Sequence, residues 1–182
     1  MLRIVLIAAA VLVAVIIGLL AYAATKPDTF RVERSTLIDA PPEAVYAEIE
    51  DFRRWRAWSP YEDKDPNLER SYSGAERGIG AQYAWRGDSN VGSGRMEIRD
   101  AVPASEIVIA LDFTAPMEAS NTALFTMTPE AGATRLTWAM EGPSNLMFKV
   151  MSVFLDMDAM IGNDFETGLA RMKSNLEQGA AS

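Results

Sequence analysis

Residues 144–177, SNLMFKVMSVFLDMDAMIGNDFETGLARMKSNLE, decide the fold of this chain. Apolar residues recur in this stretch at steps of three and four, and that spacing places them on one face of an α-helix. The eight residues of this face are Val150, Phe154, Met157, Ile161, Phe165, Leu169, Met172 and Leu176. Ser144 is a suitable N-cap, whereas Asp156 and Asp158 weaken the helix locally. We therefore predict a long amphipathic helix with a break near residues 155–158 and firm packing over residues 158–177.

The chain before this helix alternates apolar and polar residues in seven short runs, a pattern that is typical of β-strands. The runs cover residues 30–38, 68–73, 81–86, 91–101, 107–113, 119–128 and 134–141. A short helix over residues 42–51 follows the first run, and short turns join the other six, which indicates an antiparallel meander. Gly92 and Gly94 lie within one run and indicate a bulge or strong curvature there.

These elements together predict an α+β domain, in which a curved seven-stranded antiparallel sheet wraps around the long C-terminal helix. A cavity remains between sheet and helix if the sheet curls further than the helix can fill. We assign residues 27–178 to this domain and residues 179–182 to a disordered tail.

The N-terminal segment contains no charged residue from Ile4 to Ala24. About 21 residues of helix span roughly 30 Å, the thickness of the hydrocarbon core of a bilayer. Two interpretations compete. Residues 1–26 are either a transmembrane anchor or a secretion signal that is cleaved near Ala23, where residues 21–23 have the small-x-small pattern of a cleavage site. The apolar run is longer than a usual signal core, which favours the anchor.

The composition excludes several classes of chemistry. The chain has no cysteine and no histidine, so disulfides, thiol nucleophiles, Ser-His-Asp triads and histidine metal sites are impossible. The acidic loop at residues 62–66 lacks the ligand spacing of a calcium loop, and we expect it to be solvated. We expect no metal and no cofactor. The formal net charge of −8 disfavours nucleic acid as a partner, and we expect a monomer.

Several local motifs resemble the SRPBCC superfamily of START-related, helix-grip proteins, and within it the polyketide cyclase/dehydratase-like group. The resembling segments are residues 40–46 (APPEAVY), 55–61 (WRAWSPY), Asp65-Pro66, 92–98 (GSGRMEI), 134–138 (TRLTW) and the C-terminal helix. The resemblance covers residues 29–178 and implies the helix-grip fold. It implies less about function, because the superfamily includes lipid carriers, hormone-binding proteins and cyclases.

The first functional hypothesis is a membrane-anchored binding module for a hydrophobic small molecule or lipid, held at the membrane through residues 4–24. The ligand would lie between the sheet and the C-terminal helix, in a pocket whose aromatic and methionine side chains adapt to apolar shapes. We expect this pocket to be lined by Trp55, Trp58, Tyr83, Trp85, Arg95, Asn121, Phe125, Trp138, Phe154, Met157, Ile161 and Phe165. Trp55 and Trp58 either close the mouth of the pocket or cap one end of the core.

The second hypothesis is an enzyme of the cyclase or dehydratase type, which needs a positioned acid or base in a dry pocket. Its candidate carboxylates are Glu97, Asp112 and Glu141. Arg95, Tyr83 or Asn121 would then stabilise an oxyanion. Arg95 and Glu97 share one strand face, so both point into the cavity or both form a solvated pair of little energetic value. No nucleophile motif is present, and the residues favour binding over catalysis.

A third hypothesis is an envelope protein that acts through protein contacts, with side chains filling its pocket. The resembling group is bacterial, so we expect a single-pass protein of a bacterial inner membrane. We expect its domain on the outer side, because a short N-terminal tail followed by an export-like segment usually inserts in that orientation. The basic residues near the two ends of the apolar segment do not decide this orientation. The alternative is a secreted or periplasmic protein released by cleavage near Ala23.

Overall fold

The computed structural model describes residues 1–180, which form two compact units. The helical unit consists of Met1–Phe30 and Pro143–Met157. The sheet unit consists of Arg31–Gly142 and of the chain from Asp158 onward. Both units are made of two separate stretches of sequence, because the chain leaves the first unit, forms the sheet, and returns to the first unit before its last helix.

Seven strands form one open antiparallel sheet, as the sequence predicts. Their bounds are β1 Thr29–Ile38, β2 Glu69–Gly74, β3 Ala81–Arg86, β4 Ser93–Val102, β5 Glu106–Ala115, β6 Ala119–Glu130 and β7 Ala133–Pro143. The strand order is β1-β7-β6-β5-β4-β3-β2, so β2 to β7 form a continuous meander and β1 joins β7 at one edge. The predicted bulge is confirmed, since the β4–β5 register shifts between Ser93 and Gly94.

Within residues 1–180 four α-helices accompany the sheet: α1 Leu2–Ala24, α2 Pro42–Glu50, α3 Leu146–Phe154 and α4 Met157–Ala180. The predicted break is confirmed, because Leu155 adopts an extended conformation between α3 and α4. The N-cap of α3 is Asn145 and not Ser144, since the Asn145 side chain accepts a hydrogen bond from Phe148 N at 2.8 Å. Helix α4 continues through residues 179 and 180, and the rest of the predicted tail, residues 181–182, lies outside the described residues.

Helix α4 covers one face of the sheet, which we call the inner face. Side chains of alternate residues on β4 to β7 point to this face and are buried there. On α4 the buried side chains are Phe165, Leu169 and Met172, which recur at the predicted steps of four and three. The predicted apolar stripe therefore forms the core contact of α4. It does not continue on α3, where Phe154 is 70% exposed.

Arg34 of β1 fastens the first turns of α4. Its guanidinium donates hydrogen bonds to the Asp158 carboxylate at 2.8 Å and to Glu166 Oε1 at 2.9 Å. It also lies against Gly162, where any Cβ would overlap the guanidinium. The arginine that interrupts the apolar alternation of β1 is thus an ion-pair partner for α4.

The hydrogen bonds from Arg34 to Asp158 and Glu166, which we call the Arg34 clamp, should make a pH-dependent contribution to stability. Hydrogen bonding from Arg34 holds the pKa of Asp158 below its ordinary value of 3.8. A lowered carboxyl pKa stabilises the fold above the unfolded-state pKa, and the contribution disappears as the pH falls through the folded-state pKa. We expect Asp158→Asn to lower the melting temperature by only roughly 1–3 °C near pH 7, because the Asp158 side chain is 61% exposed and water screens the ion pair.

Thermal melts of the wild type and Asp158→Asn between pH 7 and pH 3 measure this difference, which should shrink below about pH 4. Glu69→Gln is the control, because Glu69 faces Arg86 at 3.9 Å with both side chains exposed. A difference between wild type and Asp158→Asn that stays constant down to pH 3 would contradict the clamp.

Candidate functional site

Five aromatic rings fill the centre of the space between the inner face and α4, and we call them the aromatic cluster. They are Trp55, Trp58, Phe125, Trp138 and Phe165, and each is at most 4% exposed. Trp138 is the middle of the cluster. Its ring stacks on Phe165 with centroids 4.1 Å apart and on Phe125 with centroids 5.1 Å apart. The edge of Trp58 meets Trp138 at a centroid distance of 5.6 Å.

Trp55 and Trp58 reach the cluster because the chain turns tightly after α2. A 3₁₀ turn over Arg54–Ala57 holds them, and their centroids are 4.7 Å apart. Each indole N–H donates to a carbonyl near the end of α2, Trp55 to Ile49 O at 3.0 Å and Trp58 to Glu48 O at 3.1 Å. Carbonyls in the last turn of a helix have no partner within the helix, so these bonds also complete α2. Both tryptophans are core residues in this structure.

Unlike Trp55 and Trp58, Trp138 has an indole N–H without a hydrogen-bond acceptor in the described part of the chain. Its Nε1 is buried and has no hydrogen-bond partner among residues 1–180. A buried donor without a partner costs about 1–3 kcal/mol, and such groups usually bind a water molecule or a ligand. Among the polar atoms of the five rings, the Trp138 indole N–H is therefore the one unused donor within the described residues.

Tyr61 lies at the edge of the cluster, with its ring centroid 6.5 Å from that of Trp138. Burial raises the pKa of Tyr61, and a hydrogen bond with Asp164 raises it further, so the phenol stays neutral. Asp164 also accepts a hydrogen bond from Lys64 at 2.6 Å. Gly168 of α4 leaves room for the tryptophan rings, because a Cβ there would lie 2.9 Å from Trp138 Cζ3.

Further rings extend from the cluster through Phe52, which follows α2, to rings on β2, β3 and β5: Tyr72, Tyr83, Trp85 and Phe113. They end at a buried carboxylate. Glu62 accepts hydrogen bonds from the Tyr83 hydroxyl at 2.7 Å and from Arg70 Nε at 2.5 Å. Burial raises the pKa of Tyr83, and the hydrogen bond to Glu62 adds to that shift, so Tyr83 is a neutral donor. These bonds offset the cost of removing the Glu62 charge from water.

The loop at residues 62–66 is thus not fully solvated, and the expectation of a solvated loop was wrong for two of its acids. Glu62 and Asp65 are both buried. Asp65 accepts backbone hydrogen bonds from Asn67 and Asp88, each at 2.8 Å, and so ties two loops together. The Asp65-x-Asn67 spacing is a signal for such a turn, because a carboxylate often accepts from the amide two residues on. Nothing local to the sequence marks Arg70 as the partner of Glu62.

The candidate catalytic carboxylates lie on the other face of the sheet and not in the cluster. Arg95, whose side chain is 71% exposed, donates to Asp112 at 3.2 Å. A hydrogen bond from Ser120 and the pairing with Arg95 lower the pKa of Asp112, away from the neutral range that general acid–base catalysis needs. Glu97 pairs with Arg99 at 3.0 Å, and Glu141 pairs with Arg31 at 2.7 Å.

The other residues of the expected pocket are distributed as follows. Tyr83 and Trp85 lie on the inner face of β3, where their rings stack at 5.9 Å. Asn121 on β6 and Ile161 on α4 are half-buried. Phe154 and Met157 belong to the helical unit. Of the twelve expected pocket residues, the structure therefore brings together the five rings of the aromatic cluster. The other seven lie outside it, and Arg95 lies on the opposite face of the sheet.

A separate open groove of about 480 Å³ lies on the surface between β1 and α4. Its lining is largely polar or charged: Ser35, Thr36, Glu166, Leu169, Ala170, Lys173, Ser174, Glu177 and Gln178. Lys173 Nζ already donates to Glu177 at 2.9 Å and to Leu37 O at 2.5 Å. This groove does not match an apolar ligand, and Lys173, the lysine in its lining, is already engaged.

We compared the chain with known protein families and with solved structures. The family described as polyketide cyclase / dehydrase and lipid transport matches residues 29–177. The chain belongs to this family. The match covers the whole sheet and nearly all of α4 and leaves out α1. Family membership and fold associate the chain with ligand binding or cyclase-type chemistry. No curated protein matches the sequence.

Solved structures share the fold at low sequence identity. A protein from Chromobacterium violaceum is 16% identical with a TM-score of 0.58, covering 84% of this chain and 99% of its own. A protein of unknown function from Staphylococcus aureus is 14% identical with a TM-score of 0.61, covering 85% and 97%. DynU16, a protein in the dynemicin biosynthetic locus, is 21% identical with a TM-score of 0.56, covering 85% and 49%. At these identities the likeness concerns the fold alone.

Proposed function

We propose that the protein binds a hydrophobic small molecule or lipid between the inner face of the sheet and α4, and that α1 holds it at a membrane. The observation that carries the proposal is the unpaired indole N–H of Trp138 inside an aromatic cluster. Ligand pockets are typically apolar with a few placed polar groups that orient the ligand. One donor among aromatic walls suits a molecule that is apolar apart from a carbonyl, ester or hydroxyl oxygen.

Binding at this place requires the cluster to repack, because its rings now fill the space. The surroundings favour such repacking. Met96, Met127 and Met172 are buried on the inner face and on α4. Methionine is flexible and polarisable, so it adapts to irregular apolar shapes at low cost. We therefore expect the ligand to displace one or more rings of the cluster.

Two further observations support the proposal. The family to which the chain belongs is described by lipid transport as well as by cyclase and dehydrase activity. Helix α1 is long and apolar enough to cross a membrane, although a signal sequence near the N-terminus meets the same criteria. An anchor of this kind would keep the sheet unit close to a supply of apolar ligands.

Trp138→Phe tests the proposal, because phenylalanine keeps a ring to stack on Phe165 and removes the donor. The full-length protein in nanodiscs is titrated with a fluorescent fatty-acid analogue, and energy transfer from the tryptophans reports binding. We expect saturable binding to the wild type and about 3–10-fold weaker binding to Trp138→Phe, the value of one ordinary hydrogen bond. Mass spectrometry of lipid co-purified with each protein gives an independent readout.

Trp85→Phe is the matched control, because its indole N–H already has a partner, Val91 O at 3.5 Å, and its ring lies outside the cluster. Empty nanodiscs correct for partitioning of the analogue into the bilayer. Equal affinities for wild type and Trp138→Phe would refute the role of Trp138. Lack of saturable binding to the wild type would refute the proposal as a whole.

A second candidate function is favoured by the filled interior itself. None of the five rings of the cluster is more than 4% exposed. Such close packing is also expected of the core of a protein that binds no ligand. Such a protein would act through contacts of its surface with other envelope proteins. The same titration separates the two functions, because only the first gives saturable binding that depends on Trp138.

A further inference from the structure

We propose that α3 lies in the lipid–water interface of the membrane, beside the end of α1, with its exposed apolar face in contact with lipid. The inference rests on the membrane-anchoring role of α1 proposed above. It adds a second membrane-contacting element, which holds the helical unit at a fixed depth. The argument comes from the sequence of α3, from its contacts, and from its level relative to α1.

The amphipathic pattern of α3 is inverted relative to that of a helix in a soluble protein. Leu146, Met147, Val150, Met151 and Phe154 share one face by their spacing. Met147 is 55% and Phe154 70% exposed, and the other three are at least partly exposed. The opposite side carries Lys149 and Ser152, and Lys149 is buried. The apolar face thus points outward and the only charge points inward.

The linker after α1 fixes the inward side of α3. Lys149 Nζ pairs with Asp28 Oδ1 at 2.5 Å, and Ser144 N donates to Asp28 O at 2.7 Å. Phe148 stacks on Phe30 with ring centroids 4.7 Å apart. These contacts hold the N-terminal half of α3 to a part of the chain only a few residues beyond the end of α1.

Helix α3 also packs directly against α1. Burial on α1 is confined to its last turns, where Ala23 is fully buried and Leu19 is half-buried. The 23 residues of α1 have a length of about 34 Å, close to the thickness of roughly 30 Å of a hydrocarbon core. The last turns of α1 therefore lie at the boundary between hydrocarbon and headgroups, and α3 lies at the same level.

Length and charge favour lipid as the occupant of this face. A helix of nine residues is about 14 Å long and too short to cross a bilayer, so its apolar face can contact lipid only from within the interface. Helix α3 contacts α1, and both helices carry exposed large apolar residues. Helix α3 contains no acidic residue, whereas the protein as a whole carries a net charge of −8. Because Lys149 is neutralised by Asp28, the contact is apolar and should not depend on anionic lipid or salt.

Single cysteines test the proposal, since the chain contains none of its own. Met147→Cys and Phe154→Cys are labelled with an environment-sensitive dye in the full-length protein, reconstituted in phosphatidylcholine vesicles. We expect quenching by nitroxide-labelled lipid and, relative to Met117→Cys, several-fold weaker quenching by aqueous iodide. Met117 is a matched control, because it is a methionine that is 50% exposed on the turn between β5 and β6.

Val11→Cys in the middle of α1 separates failure of this proposal from failure of the anchor. Lipid quenching at positions 11, 147 and 154 supports the proposal. Lipid quenching at position 11 with water-like signals at 147 and 154 overturns the α3 proposal alone. Shielding of 147 and 154 from both quenchers indicates a protein partner on this face and also overturns it. A water-like signal at position 11, or loss of that label by cleavage near Ala23, overturns the anchor and the α3 proposal together.

Discussion

Trp58→Ala is expected to lower the free energy of unfolding by about 3–5 kcal/mol, the usual cost of truncating a buried tryptophan. Trp58 is 0% exposed, and its ring meets Trp55 and Trp138 within the aromatic cluster. Truncation leaves a cavity at the centre of the sheet unit and removes the donor for Glu48 O. A domain is typically stable by about 5–15 kcal/mol, so this loss is a large part of the total.

Thermal unfolding followed by near-ultraviolet circular dichroism measures the effect, and we expect the midpoint to fall by roughly 10 °C or more. Trp58→Phe is the matched variant. Phenylalanine keeps an aromatic ring in the cluster. It loses the hydrogen bond to Glu48 O but only part of the side-chain volume. The free energy of unfolding should therefore fall by about half as much as in Trp58→Ala, or less. A change below about 1 kcal/mol for Trp58→Ala would contradict the packing described above.

The sequence was sufficient for the fold because its periodicities are unambiguous. Alternation along the strands predicts the meander, and the three- and four-residue steps predict α4 and its contact through Phe165, Leu169 and Met172. The break at residues 155–158 follows from Asp156 and Asp158, two poor helix formers that flank Met157 in the sequence. These signals are local, and each reports which residues of one element share a face.

The face of α3 shows where such signals fail. Val150 and Phe154 continue the periodicity of the α4 stripe, so the sequence predicts one apolar surface for both helices. Periodicity identifies an apolar face, but it does not identify what covers that face. The ion pair between Lys149 and Asp28 joins residues 121 positions apart, and Lys149 is buried on the inward side of α3. A pairing at this separation leaves no local trace in the sequence.

The candidate site could be predicted only in part, because local patterns identify faces but not long-range contacts. Aromatic residues at inward strand positions, such as Phe125 and Trp138, follow from alternation. The unpaired Trp138 donor does not, because it depends on which acceptors the fold leaves within reach. Arg95 and Glu97 share a face as expected, but alternation alone cannot say which face is inner until the position of α4 is known.

Gly94→Ala is expected to destabilise the protein by about 3 kcal/mol, at the upper end of the usual cost of overpacking. Gly94 lies opposite Trp85 in the β3–β4 register, at the bulge of β4. A Cβ at this position would be 2.5 Å from Asp112 O and 2.6 Å from Trp85 Cζ2. The Asp112 oxygen belongs to the backbone of β5, so relief requires a shift of the β4–β5 pairing. Chemical denaturation of the variant and the wild type measures the loss.

Two variants make this prediction specific. Gly179→Ala places a methyl group on α4 with nothing within 4 Å, so we expect no loss and a gain of up to about 1 kcal/mol from helix propensity. Combining Gly94→Ala with Trp85→Ala removes the ring but keeps the backbone contact, so a double-mutant cycle divides the strain between the two neighbours. Because the strand oxygen cannot move away as a side chain can, we expect most of the loss to persist in the Trp85→Ala background. Full recovery there would show that the ring alone excludes a side chain at position 94.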